Sequence, residues 1–165
     1  MKRGIFVGRF QPFHLGHLQD IKNALKEVDE LAIGIACSQE HHTKENPFTV
    51  TERIEMISLT LQHEKIGNCV FFSVPDCYDD KKWVEHIENV TAPFQITFTG
   101  KNEWTERSFQ SKGYHSKRLP FLEGVSGTMI RDKIRRKEEW KDKVPEQVSS
   151  YLDYIKAQER ISELT

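Results

Sequence analysis

Two histidines three residues apart, His14 and His17, stand with Gly16 between them in the run Gly8-Arg9-Phe10-Gln11-Pro12-Phe13-His14-Leu15-Gly16-His17. On a helix that spacing turns two imidazoles toward one point, where they can donate to the same oxyanion. Arg9 adds a permanent cation whose planar fork bridges two phosphate oxygens. Gly16 carries no side chain that could hold a phosphate off the backbone, and the unpaired N–H groups of a helix's first turn attract anions. A second such place is Val125-Ser126-Gly127-Thr128-Met129-Ile130-Arg131, where Ser126 or Thr128 can cap a helix that carries Arg131. Two helix starts and two arginines can together grip a triphosphate. A His pair also suits zinc, for which Cys37, His41 and His42 are the neighbouring candidates, but the company of Arg9 and Gly16 favours phosphate.

These residues must be held by ordered elements. Ile5-Phe6-Val7 and the apolar run 31–37 read as strands. Between them Leu15, Leu18, Ile21, Leu25 and Val28 recur at helical intervals, and Pro12 disfavours helix at Gln11, so the helix begins after it. The pattern repeats: Thr49 and Glu52 form a capping box ahead of Ile54, Ile57 and Leu61, residues 70–74 make a strand, Trp83, Ile87 and Val90 a helix, and residues 96–99 a strand. Such alternation predicts an α/β fold, a Rossmann-like parallel sheet with helices on both faces. His14 and His17 then lie where the first strand gives way to the first helix, the ligand edge of an open parallel sheet. Residues 101–120 read as irregular, and two C-terminal helices follow, the second with Pro145 in its first turn and a stripe of Val148, Leu152 and Ile155. The reading is one domain over 1–165, with an α/β core in 1–124 and C-terminal helices in 125–165 that complete the phosphate site.

A chain that is 37% hydrophobic and 30% charged, with net charge −1, forms a soluble core but has no overall field to draw nucleic acid or an anionic membrane. The basic run 131–137 is followed at once by Glu138 and Glu139 and reads as a solvated helix face. Cys37, Cys69 and Cys77 show neither disulfide nor zinc-ribbon spacing, which suits a reducing, cytoplasmic setting. No window approaches the roughly 18 apolar residues of a membrane span, and the apolar stretch within residues 1–8 reads as too short for an export signal.

His14-Leu-Gly-His17 together with Ser126-Gly-Thr-x-x-Arg131 resembles the paired signature of the HxGH nucleotidyltransferase superfamily, and the Gly-Arg-Phe-Gln-Pro form is similar to archaeal-type nicotinamide-nucleotide adenylyltransferases. Pro47-Phe48-Thr49 with Glu52-Arg53, Trp83-Val84-x-His86-Ile87, and Thr99-Gly100-x-Asn102 extend the likeness from about residue 3 to residue 161. Asp132, and His41-His42 within the loop 38–46, depart from it. The resemblance implies adenylyl transfer from ATP to nicotinamide mononucleotide, giving NAD and pyrophosphate, with magnesium carried by the ATP and no metal held by protein side chains. It implies catalytic roles for His14, His17, Arg9 and Arg131. ATP contacts fall on Gly8, Arg9, Phe10, His14, Gly16, His17, Gly100, Asn102, Ser126, Gly127, Thr128 and Arg131. Acceptor contacts fall on Arg53, Trp83 and Val84, and relatives suggest a homo-oligomer. The position of Trp83 after the turn-prone stretch 76–80 further suggests an incompletely buried indole on which a pyridinium ring stacks. Phosphate motifs do not read the acceptor, so phosphopantetheine or flavin mononucleotide remains an alternative, as does a non-catalytic nucleotide-binding regulator.

Overall fold

Five short strands carry the apolar runs: β1 (Arg3–Gly8), β2 (Glu30–Ile35), β3 (Cys69–Ser73), β4 (Ile96–Thr99) and β5 (His115–Arg118). The computed structural model, which describes residues 1–164, pairs them all in parallel in the order β3-β2-β1-β4-β5. Leu31, Ala32, Ile33 and Ile35 of β2 are all buried, and successive strand residues face opposite ways, so both faces of the sheet are covered. The helices are α1 (Leu15–Ala24), α2 (Val50–His63), α3 (Asp80–Val90), α4 (Glu103–Ser111), α5 (Gly127–Arg136), α6 (Glu146–Tyr154) and α7 (Ala157–Glu163). Among the described residues, none is long and apolar enough to cross a membrane.

Contacts gather the chain into two compact units. The first comprises Met1–Gly8, Gln19–Ser38 and Asn68–Phe121, and so holds the whole sheet, α3, α4 and the end of α1. Its chain builds β2 and β3 to one side of β1 and then β4 and β5 to the other, which makes the carboxyl ends of β1 and β4 a topological switch point. Phe6 pairs with Phe98, so Gly8 and Gly100 follow on neighbouring strands at that edge. The second unit comprises Arg9–Leu18, Gln39–Gly67 and the chain from Leu122 on. In it α2 packs on α6, and α7 on both α5 and α6. Its core includes Phe48, Met56, Ile57, Ile130, Ile134, Val148, Leu152 and Ile161. Hydrogen bonds tie the segments at 9–18 and 39–67 to the C-terminal helices, as with Arg131 on the Gln11 carbonyl at 2.7 Å and Arg160 on Glu52 at 2.6 and 2.8 Å.

Three local expectations change. α1 stops at Ala24, and Val28 reaches the core from the turn that follows rather than from the helix. Residues 101–120 contain α4 and β5. The final helix is two helices, broken where Lys156 takes a left-handed conformation at φ 57°, and Pro145 precedes α6 as its N-cap with ψ 148°.

Candidate active site

His14 is the last residue before α1, and its carbonyl accepts the first helical bond, from Leu18 N–H at 3.1 Å. Its ring does the work that Ser or Asp does at other helix starts: Nδ1 accepts from the N–H groups of Gly16 (3.1 Å) and His17 (3.3 Å). His17 returns the bond, its Nδ1 accepting from His14 N–H at 3.2 Å. The His-x-Gly-His spacing is thus a capping box built from two imidazoles, with His17 in the place of the usual Glu. The rings stack with centroids 3.6 Å apart and planes 19° from parallel.

This geometry fixes both tautomers. Each Nδ1 is committed as an acceptor, so in the neutral ring the proton sits on Nε2. Burial pushes the His14 imidazole down to about 4. His17 is held well below its ordinary range by burial and then by His14 beside it. Both rings are therefore neutral at pH 7 and present Nε2–H as a donor. The expectation that first-turn amides stand open to an anion changes accordingly, since two of them are satisfied by His14. Gly16 has a steric role: a Cβ there would lie 2.9 Å from His14 Cε1 and push the ring off its amides.

Arg131 is buried, 3% exposed, one turn into α5. Ser126 caps that helix, accepting from Met129 N–H at 3.1 Å, which leaves Thr128 Oγ1 to accept from Arg131 Nη2 at 3.3 Å. Nη1 donates to the Gln11 carbonyl at 2.7 Å, and Nη2 also meets the exposed Glu45 carboxylate at 3.4 Å. A Cβ on Gly127 would stand 2.9 Å from Arg131 Nη1 and 3.2 Å from the Gln11 oxygen, so the helix start must be glycine for the guanidinium to reach its acceptor. Burial and the charge of Arg9 both depress the Arg131 guanidinium, against the opposing pull of Glu45 and Asp132. An anion bound beside them would ease the repulsion between these two like charges. Asp132 itself is turned to Arg135 at 2.9 Å.

The remaining expected residues divide. Arg9 is exposed, and Phe10 is buried at φ 53° with its ring edge-on to His17 at 4.8 Å, a floor for the imidazole. Arg53, expected as an acceptor contact, is fully buried: Nη1 donates to the Arg9 carbonyl at 2.9 Å and Nε to the Thr49 carbonyl at 3.3 Å, so it braces the loop from beneath. In the sheet unit, Asn102 caps α4 by accepting from the N–H groups of Trp104 and Thr105, and a Cβ on Gly100 would meet nothing within 4 Å. Trp83 is only 4% exposed and Val84 is fully buried, which corrects the expectation of an open indole. The Trp83 ring packs edge-on against Trp104 at 5.1 Å and Phe109 at 5.4 Å because α3 and α4 pack together. Sequence reasoning passed over Trp104, 37% exposed, and Gln11, which is buried; an amide in an otherwise aromatic and basic run was the available signal for the second. His41 and His42 pair with each other at 2.9 Å, and among the described residues no group of three or more His, Cys, Asp or Glu is placed to hold a metal.

A parallel sheet with a switch point, two imidazoles at the first helix start and a braced arginine at another define a nucleotidyltransferase-like protein, and the chain belongs to the cytidylyltransferase-like family, whose model matches residues 5–133. Within that family its relatives are nicotinamide-nucleotide adenylyltransferases. It is 39% identical to that of Thermoplasma volcanium over 99% of this chain and 92% of the relative, and 40% identical to that of Picrophilus torridus over 99% and 97%. The enzyme of Pyrococcus furiosus is 37% identical over 98% and 88%. Among solved structures, the bifunctional NMN adenylyltransferase/ADP ribose pyrophosphatase of Francisella tularensis superposes with TM-score 0.84 at 23% identity. The match covers 99% of this chain and 52% of that one, so the chain spans about half the length of the bifunctional protein. The same protein complexed with AMP and a manganese ion gives TM-score 0.79.

Proposed function

We propose that the chain transfers the adenylyl group of ATP to nicotinamide mononucleotide, releasing pyrophosphate and forming NAD. The observation that carries the reading is the histidine capping box together with a buried arginine that donates to the loop leading into it: two neutral Nε2–H donors and a preorganised guanidinium, with no nucleophile among them. That is what the chemistry requires. A phosphate oxygen of the mononucleotide attacks the α-phosphorus, a P–O bond forms in line with the bond to the β-phosphate, and that bond breaks to release pyrophosphate. The attacking oxygen is already anionic, so no base is needed, and catalysis reduces to positioning and to stabilising charge.

In this proposal His14 and His17 donate to the phosphate oxygens, where neutral donors cost no ionisation. Arg131 and the exposed Arg9 supply positive charge to the polyphosphate. Magnesium enters as part of the ATP complex and neutralises charge on the phosphates. Ser126, Gly127 and Thr128 serve by shaping the start of α5 and holding Arg131, while Gly8, Gly100 and Asn102 serve at the sheet's carboxyl edge. Arg53 takes part as a brace, and Trp83 and Val84 as buried support. A cytoplasmic setting and the self-association suggested by the resemblance belong to the same proposal, and gel filtration tests the second.

The deciding experiment incubates the protein with ATP, magnesium and, separately, nicotinamide mononucleotide, its acid form, phosphopantetheine and flavin mononucleotide, and measures pyrophosphate. NAD and pyrophosphate in equal amounts from the first acceptor are expected. Release with another acceptor only, or with none, overturns the reading.

A further inference from the structure

Gln11 is buried, 2% exposed, in the middle of the site loop, yet its amide hydrogen-bonds to neither imidazole. Its amide is spent on the backbone of Phe48, thirty-seven residues away: Nε2 donates to the Phe48 carbonyl at 3.0 Å, and Oε1 accepts from Phe48 N–H at 2.9 Å. Two parallel bonds of this kind fix the side chain and the backbone from which it springs. That backbone is what holds the arginine, because Arg131 Nη1 donates to the Gln11 carbonyl at 2.7 Å.

The Phe48 side of the bridge is equally anchored. Arg160 of α7 donates to the Pro47 carbonyl at 3.1 Å and grips Glu52 with both nitrogens, and Glu52 closes the capping box with Thr49. Burial alone raises the Glu52 carboxyl, but the hydrogen bonds from Arg160 and Thr49 outweigh it and hold the group below its usual range. A continuous set of bonds thus runs from α7 through residues 47–49 to Gln11 and ends on Arg131. A guanidinium on a flexible stem acts on a transition state only if its fork is held still.

We propose that Gln11 is a positioning residue for the transfer reaction, acting through Arg131 by locking the carbonyl that the guanidinium uses as its rest. The proposal stands on the preceding assignment of Arg131 to the nucleotide phosphates. It makes a claim that assignment does not: the contribution of Gln11 to turnover vanishes when Arg131 is absent. Burial in a well-bonded loop for folding alone carries no such dependence.

The test is a double-mutant cycle. Gln11→Met keeps the volume and removes both bonds to Phe48; Gln11→Glu keeps the acceptor but sets a carboxylate oxygen against the Phe48 carbonyl. Each is measured in the natural background and with Arg131→Ala, with single-turnover rates under saturating ATP and thermal unfolding beside them. In the natural background the rate is expected to fall roughly 10- to 100-fold, with the ATP KM changed much less. With Arg131→Ala the same substitutions are expected to cost less than about threefold. Equal losses in the two backgrounds overturn the proposal, as does a folded Gln11→Met protein with full turnover. Wild-type turnover in Arg131→Ala alone instead removes the assignment of Arg131, and the role of Gln11 falls with it.

Discussion

Replacing His14 by Asn isolates the acid sensitivity that the capping box builds into the fold. Asn Oδ1 sits where Nδ1 does and keeps an acceptor for the Gly16 and His17 amides, but it does not titrate. In the folded protein the imidazole is pushed down from 6.5 to about 4, so between these values the unfolded chain binds a proton that the folded chain refuses. Stability is therefore intact above pH 6.5 and is lost as pH falls toward 4. At 1.4 kcal/mol for each tenfold difference in ionisation constant, the loss is about 2 kcal/mol at pH 5 and about 3 kcal/mol at pH 4. Asp20, raised by burial to about 7, works with the opposite sign, because the folded state holds its proton where the unfolded chain has released it. A single unfolding curve against pH would mix the two. The difference between wild type and His14→Asn removes the common Asp20 part. Urea unfolding of both proteins from pH 8 to pH 4 is expected to show wild type losing ground to the variant by those amounts. A difference that does not change with pH would mean that His14 takes up its proton as readily in the folded as in the unfolded chain, and the depression by burial would be refuted.

His17→Ala is expected to lower turnover about 100-fold or more while ATP binding weakens much less, since a donor aimed at developing charge counts most in the transition state; equal losses in turnover and ATP affinity would assign it to ground-state binding. Arg131→Lys is expected to be nearly as harmful as removal, because one ammonium cannot reach the Gln11 carbonyl, Thr128 and a phosphate together, and wild-type kinetics in that variant would refute this. Trp83→Ala is expected to cost about 3–5 kcal/mol of stability, as for a core aromatic, with substrate constants unaltered in the folded fraction; a raised acceptor KM in a protein of normal stability would restore the stacking role.

The helix starts that carry the proposed site were legible because they depend on residue type and spacing: His14 and His17 at three residues, and Arg131 five residues after its cap. The way the imidazoles are held was not legible, because a first-turn amide is open or satisfied according to a ring rotation that spacing does not encode. Arg53, which the resemblance made an acceptor contact, stands early in a capped helix where a charge is ordinarily solvated. Its burial depends on carbonyls of Arg9 and Thr49 that only the tertiary fold brings together. β5 escaped notice because His115-Ser116-Lys117-Arg118 is a polar edge strand without apolar alternation, recognisable only by its pairing with β4. The strands with apolar runs, and the capping box of Thr49 and Glu52, came through because local sequence alone specifies them.

The left-handed residue at Lys156 turns the last helix back so that Arg160 reaches the loop at Pro47 and the Glu52 carboxylate. If Gln11 positions Arg131 as proposed, the carboxyl-terminal segment bears on turnover at a distance. A carboxypeptidase, or an engineered stop codon ahead of Arg160, would then remove the brace on Pro47 and Glu52 together with the buried Ile161, without touching any residue proposed to meet a substrate.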